Sequence, residues 1–341
     1  MNNKRVYIAY TGGTIGMTAT DHGYAPAPGY LGKLLAEQPE FNSANMPDVA
    51  FKEYENIIDS SNATPWHWNK IAEDIAENYD GFDGFVILHG TDTMAYSASA
   101  LSFQLGNLSK PVILTGSQIP FAEIRSDARE NLIGAIQLAT KPKLSEVSVY
   151  FHNELYRGNR TTKTDSSGFA AFESPNYPTL ARVGIEIDIN KRYLLEENDA
   201  SNGLDIIHFQ NNPEVGTLQI FPGITGRLLH NYLQQPVKGL VLMTYGSGNI
   251  PNHDQMLIDE ITSACERGVI IVNCTQCLRG TVNMKTYQTG SNLEQAGVVN
   301  AHDMTIEATV TKLTWLLGIY PDDPDKVRQL MAQDLRGEIT L

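Results

Sequence analysis

Along the first half of the chain, short apolar runs alternate with longer stretches whose apolar residues recur every three or four positions. Runs at 6–10, 50–54, 85–88, 112–114 and 147–151 have strand length and read as strands. Between them, 66–79, 95–105 and 128–139 carry an apolar stripe at helical spacing. Pro65, preceded by Thr64, marks a helix start, because proline lacks an N–H at a position where that donor has no intrahelical partner. This βαβα order predicts a mainly parallel sheet covered by helices.

The pattern breaks at 191–212, whose first half is polar and includes Glu196, Glu197, Asn198, Asp199, Ser201, Asn202 and Gly203. That segment reads as a linker between an N-terminal α/β domain, 1–190, and a smaller α/β domain, 213–341. Strands in the second domain are expected at 217–221, 239–244 and 268–273, with helices between. Pro321-Asp322-Asp323-Pro324 leads into a last helix near 326–333. The chain shows no short-period repeat and no low-complexity tract.

Charge narrows the partners. With 25 basic and 39 acidic residues the net charge is −14, which disfavours nucleic acid and anionic membrane surfaces. No apolar segment reaches spanning length. The apolar run that begins near the amino terminus stops at Tyr10, too short for a signal-peptide core, so a cytoplasmic protein is expected. Cys265, Cys274 and Cys277 agree with a reducing compartment. The spacing of Cys274 and Cys277 has no second matching pair, which favours core cysteines over a zinc or redox site.

Two turns carry the chemistry. Thr11-Gly12-Gly13-Thr14-Ile15-Gly16 follows the first strand, and His89-Gly90-Thr91-Asp92-Thr93-Met94 follows the third. Glycine releases a buried strand into a tight turn, and in open α/β sheets ligands bind at such strand ends. Threonine and aspartate after a strand also serve as plain helix caps. Two hydroxyl-bearing turns favour a nucleophile, and the dinucleotide, phosphate-loop, serine-elbow and zinc-protease motifs are all missing. A threonine needs a base, either a lysine kept neutral by burial or a phenolate-like tyrosine. Lys163, in the polar segment 156–163, is a candidate that Asp92 could orient; its alternative is a solvated surface charge. Asp59-Ser60-Ser61 follows another strand and suits the amino or carboxylate group of a ligand, or is simply loop polarity ahead of Thr64. Ser117 and Gln118 follow a further strand and could line the same pocket.

These motifs, in this order, resemble the two signatures of the bacterial-type asparaginase/glutaminase family, and most closely the cytoplasmic type I L-asparaginases. The resemblance implies a large doubly wound, mainly parallel α/β domain with a smaller α/β domain, and hydrolysis of L-asparagine without metal or cofactor. It implies Thr14 as the nucleophile that forms a β-aspartyl ester. Tyr24, on a mobile loop, would help to activate it. Thr91, Asp92 and Lys163 match a supporting network, and Asp59, Ser60, Ser61, Thr91 and Asp92 match the substrate binders. Ser60 would take the α-carboxylate and Asp92 the α-ammonium. A homodimer or a dimer-of-dimers tetramer is implied. So is a regulatory asparagine site at Thr162, Tyr245, Gly246, Asn249 and Cys277, although Met243 stands where regulated relatives carry arginine. Two alternatives stay open: a glutaminase-asparaginase of broader specificity and a non-catalytic amino-acid sensor. The related tRNA-dependent amidotransferase subunit carries a long extension before the first motif, which here begins at Thr11.

Overall fold

The first strand, β1 (Arg5–Gly12), is buried from Val6 onwards because both of its faces are apolar. Val6, Ile8 and Tyr10 enter one hydrophobic cluster, and Tyr7 and Ala9 enter another on the opposite face. The computed structural model describes residues 4–251, 253–285 and 288–340. They divide into two units, with the boundary between Ile207 and His208.

In the first unit β1 is joined by β2 (Asp48–Ile58), β3 (Gly84–Leu88), β4 (Val112–Thr115), β5 (Val147–Phe151), β6 (Glu154–Arg157), β7 (Ala181–Val183) and β8 (Ile187–Ile189). The spatial order is β8-β7-β6-β5-β4-β3-β1-β2. β1 to β5 are parallel, as the alternation predicts. β6, β7 and β8 add an antiparallel edge that the pattern did not predict. The reversal lies at His152 and Asn153, both at positive φ, which is the geometry of a two-residue hairpin without its usual glycine.

Helices cover both faces. Leu31 and Leu35 of α1 (Tyr30–Glu37) and Leu132, Ala135 and Ile136 of α4 (Ala128–Ala139) pack on the Val6, Ile8, Tyr10 side. Ile71, Ala72 and Ile75 of α2 (Pro65–Asn78) and Ala98 and Leu101 of α3 (Met94–Gln104) pack on the other. α2 starts at Pro65, where the Thr64 N–H donates to Nδ1 of His67 at 3.1 Å. α1 and a hairpin of Met17–Thr20 with Gly23–Pro26 fill the connection from β1 to β2. The chain runs from β1 to β2 on one side and then to β3 on the other. The gap between the carboxyl ends of β1 and β3 is therefore a topological switch point, where open α/β sheets bind ligands.

The second unit is a parallel sheet in the order β9 (Val215–Gln219), β10 (Gly239–Thr244), β11 (Ile270–Thr275), β12 (Val299–Asn300). Its helices are α5 (Gly226–Tyr232), α6 (Gln255–Glu266), α7 (Gln288–Gln295), α8 (Ile306–Ile319) and α9 (Pro324–Met331). The segment 191–212 contains two short turns, Lys191–Tyr193 and Ala200–Asn202. Its Asp205–Ile206 then pairs with Leu105–Gly106 of the first unit.

Candidate active site

Three strand ends meet at the switch point. Tyr10 of β1 lies in register with Leu88 of β3, and Gly12 with Ile58 of β2, so all three turns leave the sheet at one level. Gly13 sits at φ 93°, and a Cβ there would lie 2.4 Å from the Gly90 nitrogen. A Cβ on Gly90 would in turn lie 2.5 Å from Ser60 Oγ. The turns touch backbone to backbone, which only glycine permits. Two hydroxyls tie them together: Thr11 Oγ1 donates to the Leu88 carbonyl at 2.9 Å and Thr93 Oγ1 to the Ser60 carbonyl at 2.7 Å. Thr14, half-buried, opens the short helical turn Thr14–Gly16.

Lys163 Nζ donates to Thr91 Oγ1 at 2.9 Å and to Asp92 Oδ1 at 2.7 Å. Its side chain is only 18% exposed, so it is not a solvated surface lysine. The polar segment before it is buried. Arg157 pairs with Glu146 at 2.6 Å, both nearly inaccessible, and donates to the Tyr193 carbonyl at 2.8 Å. Arg160 donates to the Asn176 carbonyl at 3.0 Å and stacks over the Tyr177 ring. Thr161 Oγ1 bonds back to the Arg157 carbonyl at 2.7 Å. Lys163 itself lies in a two-residue strand paired with Phe172–Glu173. Buried cations with fixed partners thus give the lysine a rigid base.

Thr91 Oγ1 spends its one proton on Gln118 Oε1 at 3.2 Å and accepts from Lys163. Gln118 is itself held: Nε2 donates to the Gly168 carbonyl at 2.9 Å, and its backbone N–H to Asp127 Oδ2 at 3.0 Å. Asp127 also accepts from Ile119 N at 3.1 Å and Asn131 Nδ2 at 3.0 Å. Ser117 Oγ donates to the Ile119 carbonyl at 2.6 Å and so shapes the loop. Ser60 is buried, while Asp59 and Ser61 are exposed, with Asp59 Oδ1 accepting the Ser61 N–H at 3.1 Å.

Tyr24 projects from the hairpin, half-exposed, and donates to Glu123 Oε1 at 3.1 Å. That hydrogen bond holds the phenol above its ordinary pKa, so here it is protonated. Of the two bases that the sequence left open, the phenolate is thus disfavoured in this conformation.

The Asparaginase, N-terminal family model matches residues 5–194, and the Glutaminase/Asparaginase C-terminal domain model matches 214–331. The chain belongs to the asparaginase family. This asparaginase is 50% identical over 340 residues to L-asparaginase 1 of Escherichia coli (strain K12), with 100% of this chain and 99% of that protein covered. The crystal structure of L-asparaginase I from Vibrio cholerae matches at TM-score 0.91 and 47% identity, covering 99% of this chain and 100% of that one. That of a probable cytoplasmic L-asparaginase from Campylobacter jejuni matches at TM-score 0.79 and 25% identity, covering 97% and 100%. Among the described residues of this asparaginase, no helix is long and apolar enough to cross a membrane.

Four of the five expected effector residues cluster within the second unit. Tyr245 and Asn249 exchange backbone hydrogen bonds, each at 2.9 Å, across the turn that contains Gly246. Thr275 Oγ1 donates to the Gly246 carbonyl at 2.6 Å and accepts the Cys277 N–H at 3.1 Å. Thr162 belongs to the first unit, next to Lys163 in the same short strand. Sequence reasoning missed His89 and Asp127 as parts of the site, and gave Gln118 only as a pocket-lining residue rather than as the acceptor of the Thr91 hydroxyl. For His89 the signal was present: an imidazole at the end of an otherwise apolar strand needs polar partners.

Proposed function

We propose that this asparaginase hydrolyses L-asparagine to L-aspartate and ammonia through an ester on Thr14. The observation that carries the reading is the Lys163–Thr91–Asp92 contact beside the Thr14 turn at the switch point. Thr14 Oγ1 attacks the side-chain carboxamide carbon. The C–N bond breaks, the proton given up by the Thr14 hydroxyl passes to the amide nitrogen, and ammonia leaves. Water then attacks the same carbon, the bond to Thr14 breaks, a proton of that water returns to Thr14 Oγ1, and aspartate is released. Each addition places negative charge on the carbonyl oxygen, which backbone N–H groups such as that of Thr91 stabilise. Asp92 takes the α-ammonium, and Ser60, with Asp59 and Ser61 beside it, takes the α-carboxylate, so the amide is held against Thr14. Tyr24 acts as a protonated phenol that moves from Glu123 toward the substrate.

L-asparagine is the preferred substrate. Ammonia release from L-asparagine and L-glutamine, measured side by side, tests this. One methylene is worth ~1–3 kcal/mol in an apolar pocket, so a preference of at least about tenfold in kcat/KM is expected. Comparable values would make this an asparaginase-glutaminase, and no ammonia from either substrate would remove the function.

The working form in this reading is a homodimer or dimer-of-dimers in the cytoplasm. A second, regulatory asparagine site, at Thr162, Tyr245, Gly246, Asn249 and Cys277, is part of the same proposal. A buried Tyr245 hydroxyl, without a hydrogen-bond partner among the described residues, supports the turn as a polar surface that a ligand completes. Rate should then depend sigmoidally on asparagine, and Thr162→Ile should make the curve hyperbolic with the saturating rate kept. A hyperbolic wild-type curve would rule the site out.

A further inference from the structure

A buried chain of hydrogen bonds runs behind the His89–Thr93 turn. Trp68 Nε1 of α2 donates to Ser97 Oγ of α3 at 2.9 Å. Ser97 Oγ lies 2.9 Å from His89 Nε2, and His89 Nδ1 lies 2.7 Å from the Gly90 carbonyl oxygen. His89, Trp68 and Ser97 are all buried.

The direction of every bond follows from the atoms. An indole N–H can only donate and a carbonyl oxygen can only accept. The Gly90 carbonyl therefore requires the proton on His89 Nδ1. Burial pushes His89 below its ordinary pKa, so the imidazole is neutral and its Nε2 is an acceptor. Ser97 then donates to Nε2 while accepting from Trp68. All three bonds point the same way, and each polarises the next.

The end of the chain matters most. The peptide between Gly90 and Thr91 is planar and trans, so its C=O and N–H point in opposite directions. With the carbonyl fixed on the imidazole, the Thr91 N–H points away from it, out of the buried layer. No acceptor meets that N–H among the described residues. On the far side of the turn, a Cβ on Gly116 would lie 2.3 Å from the His89 carbonyl, so the backbone has no room to rotate there.

We propose that His89, held by Ser97 and Trp68, is a positioning residue that fixes the Gly90–Thr91 peptide so that the Thr91 N–H receives the oxyanion. This rests on the acyl-transfer reading above. His89 does not touch substrate. It sets the angle of a donor and, by donating to the carbonyl of the same amide, strengthens it.

The test compares His89→Asn with His89→Gln. Asparagine carries its amide nitrogen at the position of Nδ1, and glutamine one bond further, at the position of Nε2. Asparagine can reach the Gly90 carbonyl, and glutamine reaches toward Ser97. His89→Gln and His89→Ala should lower kcat by about 10²-fold, the scale of losing one oxyanion donor, with KM changed much less. His89→Asn should recover most of that loss at the same thermal stability as His89→Gln. Equal kcat in the asparagine and glutamine variants, or an alanine variant near wild type, would overturn the proposal. Nitrogen NMR of the wild-type imidazole adds a readout that needs no variant to fold, and an Nε2–H tautomer would also overturn it. Wild-type ammonia release separates the two ideas: if it is absent, the acyl-transfer reading fails rather than the positioning role.

Discussion

A Thr14→Ala variant should release ammonia from L-asparagine on the order of 10⁴-fold or more slowly than wild type, the scale seen when a nucleophile is removed. The variant should fold normally. Thr14 is only half-buried and ties no strand end, in contrast with Thr11 and Thr93, whose hydroxyls hold the Leu88 and Ser60 carbonyls. Rapid quench of the wild type with L-asparagine, followed by mass spectrometry, should show an adduct of aspartyl mass on Thr14. An adduct on Thr91 would reverse the assignment. Thr91→Val and Lys163→Met should lower kcat far more than they lower stability. The first removes the hydroxyl that links Lys163 to Gln118, and the second removes the side-chain nitrogen that joins Thr91 to Asp92.

Lys312→Met should be the most destabilising single change away from the site. Lys312 in α8 and Glu338 near the carboxyl terminus are fully buried and paired at 2.5 Å. Lys312 Nζ also donates to the Met331 carbonyl at 3.2 Å, and Glu338 accepts from the backbone N–H groups of Leu335 and Arg336 at 3.0 and 2.6 Å. Removing the lysine leaves the buried Glu338 carboxylate, which also faces Asp334, without its counter-ion, which costs about 3–5 kcal/mol. Denaturant unfolding should show this as a lower midpoint. The double variant Lys312→Met with Glu338→Met should recover most of the loss, because it removes the stranded charge as well. A double variant no more stable than Lys312→Met would show that the penalty is lost packing rather than an unpaired ion.

Much of the first unit was legible in the residues. β1, β3, β4 and β5 are short apolar runs buried on both faces, and such runs need no tertiary information to be recognised as parallel strands. Pro65 marked the start of α2, because a ring without an N–H suits only the first turn. The two Thr-Gly turns stood out because glycine is needed where backbones meet, as Gly13 does with Gly90.

Other features became visible only in three dimensions. The antiparallel edge β6 to β8 consists of strands of four, three and three residues, too short to show a period, and it turns at His152 and Asn153 rather than at glycine. α8 is buried on nearly every side, so its apolar residues form no stripe to read. The polar segment 156–163 looks like surface until Glu146, Asn176 and Tyr193 bury its arginines. Thr11, Thr14, Thr91 and Thr93 are equivalent as letters. Carbonyls and side chains distant in sequence give these hydroxyls different partners: Leu88 and Ser60 claim Thr11 and Thr93, while Lys163 and Gln118 meet Thr91. Periodicity, turn chemistry and helix caps act within a few residues, so the sequence alone determined the parallel strands β1 to β5, the helices α2 to α4 between them and the position of both turns. Burial and hydrogen-bond pairing join residues far apart, 77 positions in the Thr11 to Leu88 bond and 99 in the Tyr24 to Glu123 bond, and only the packed chain decides those.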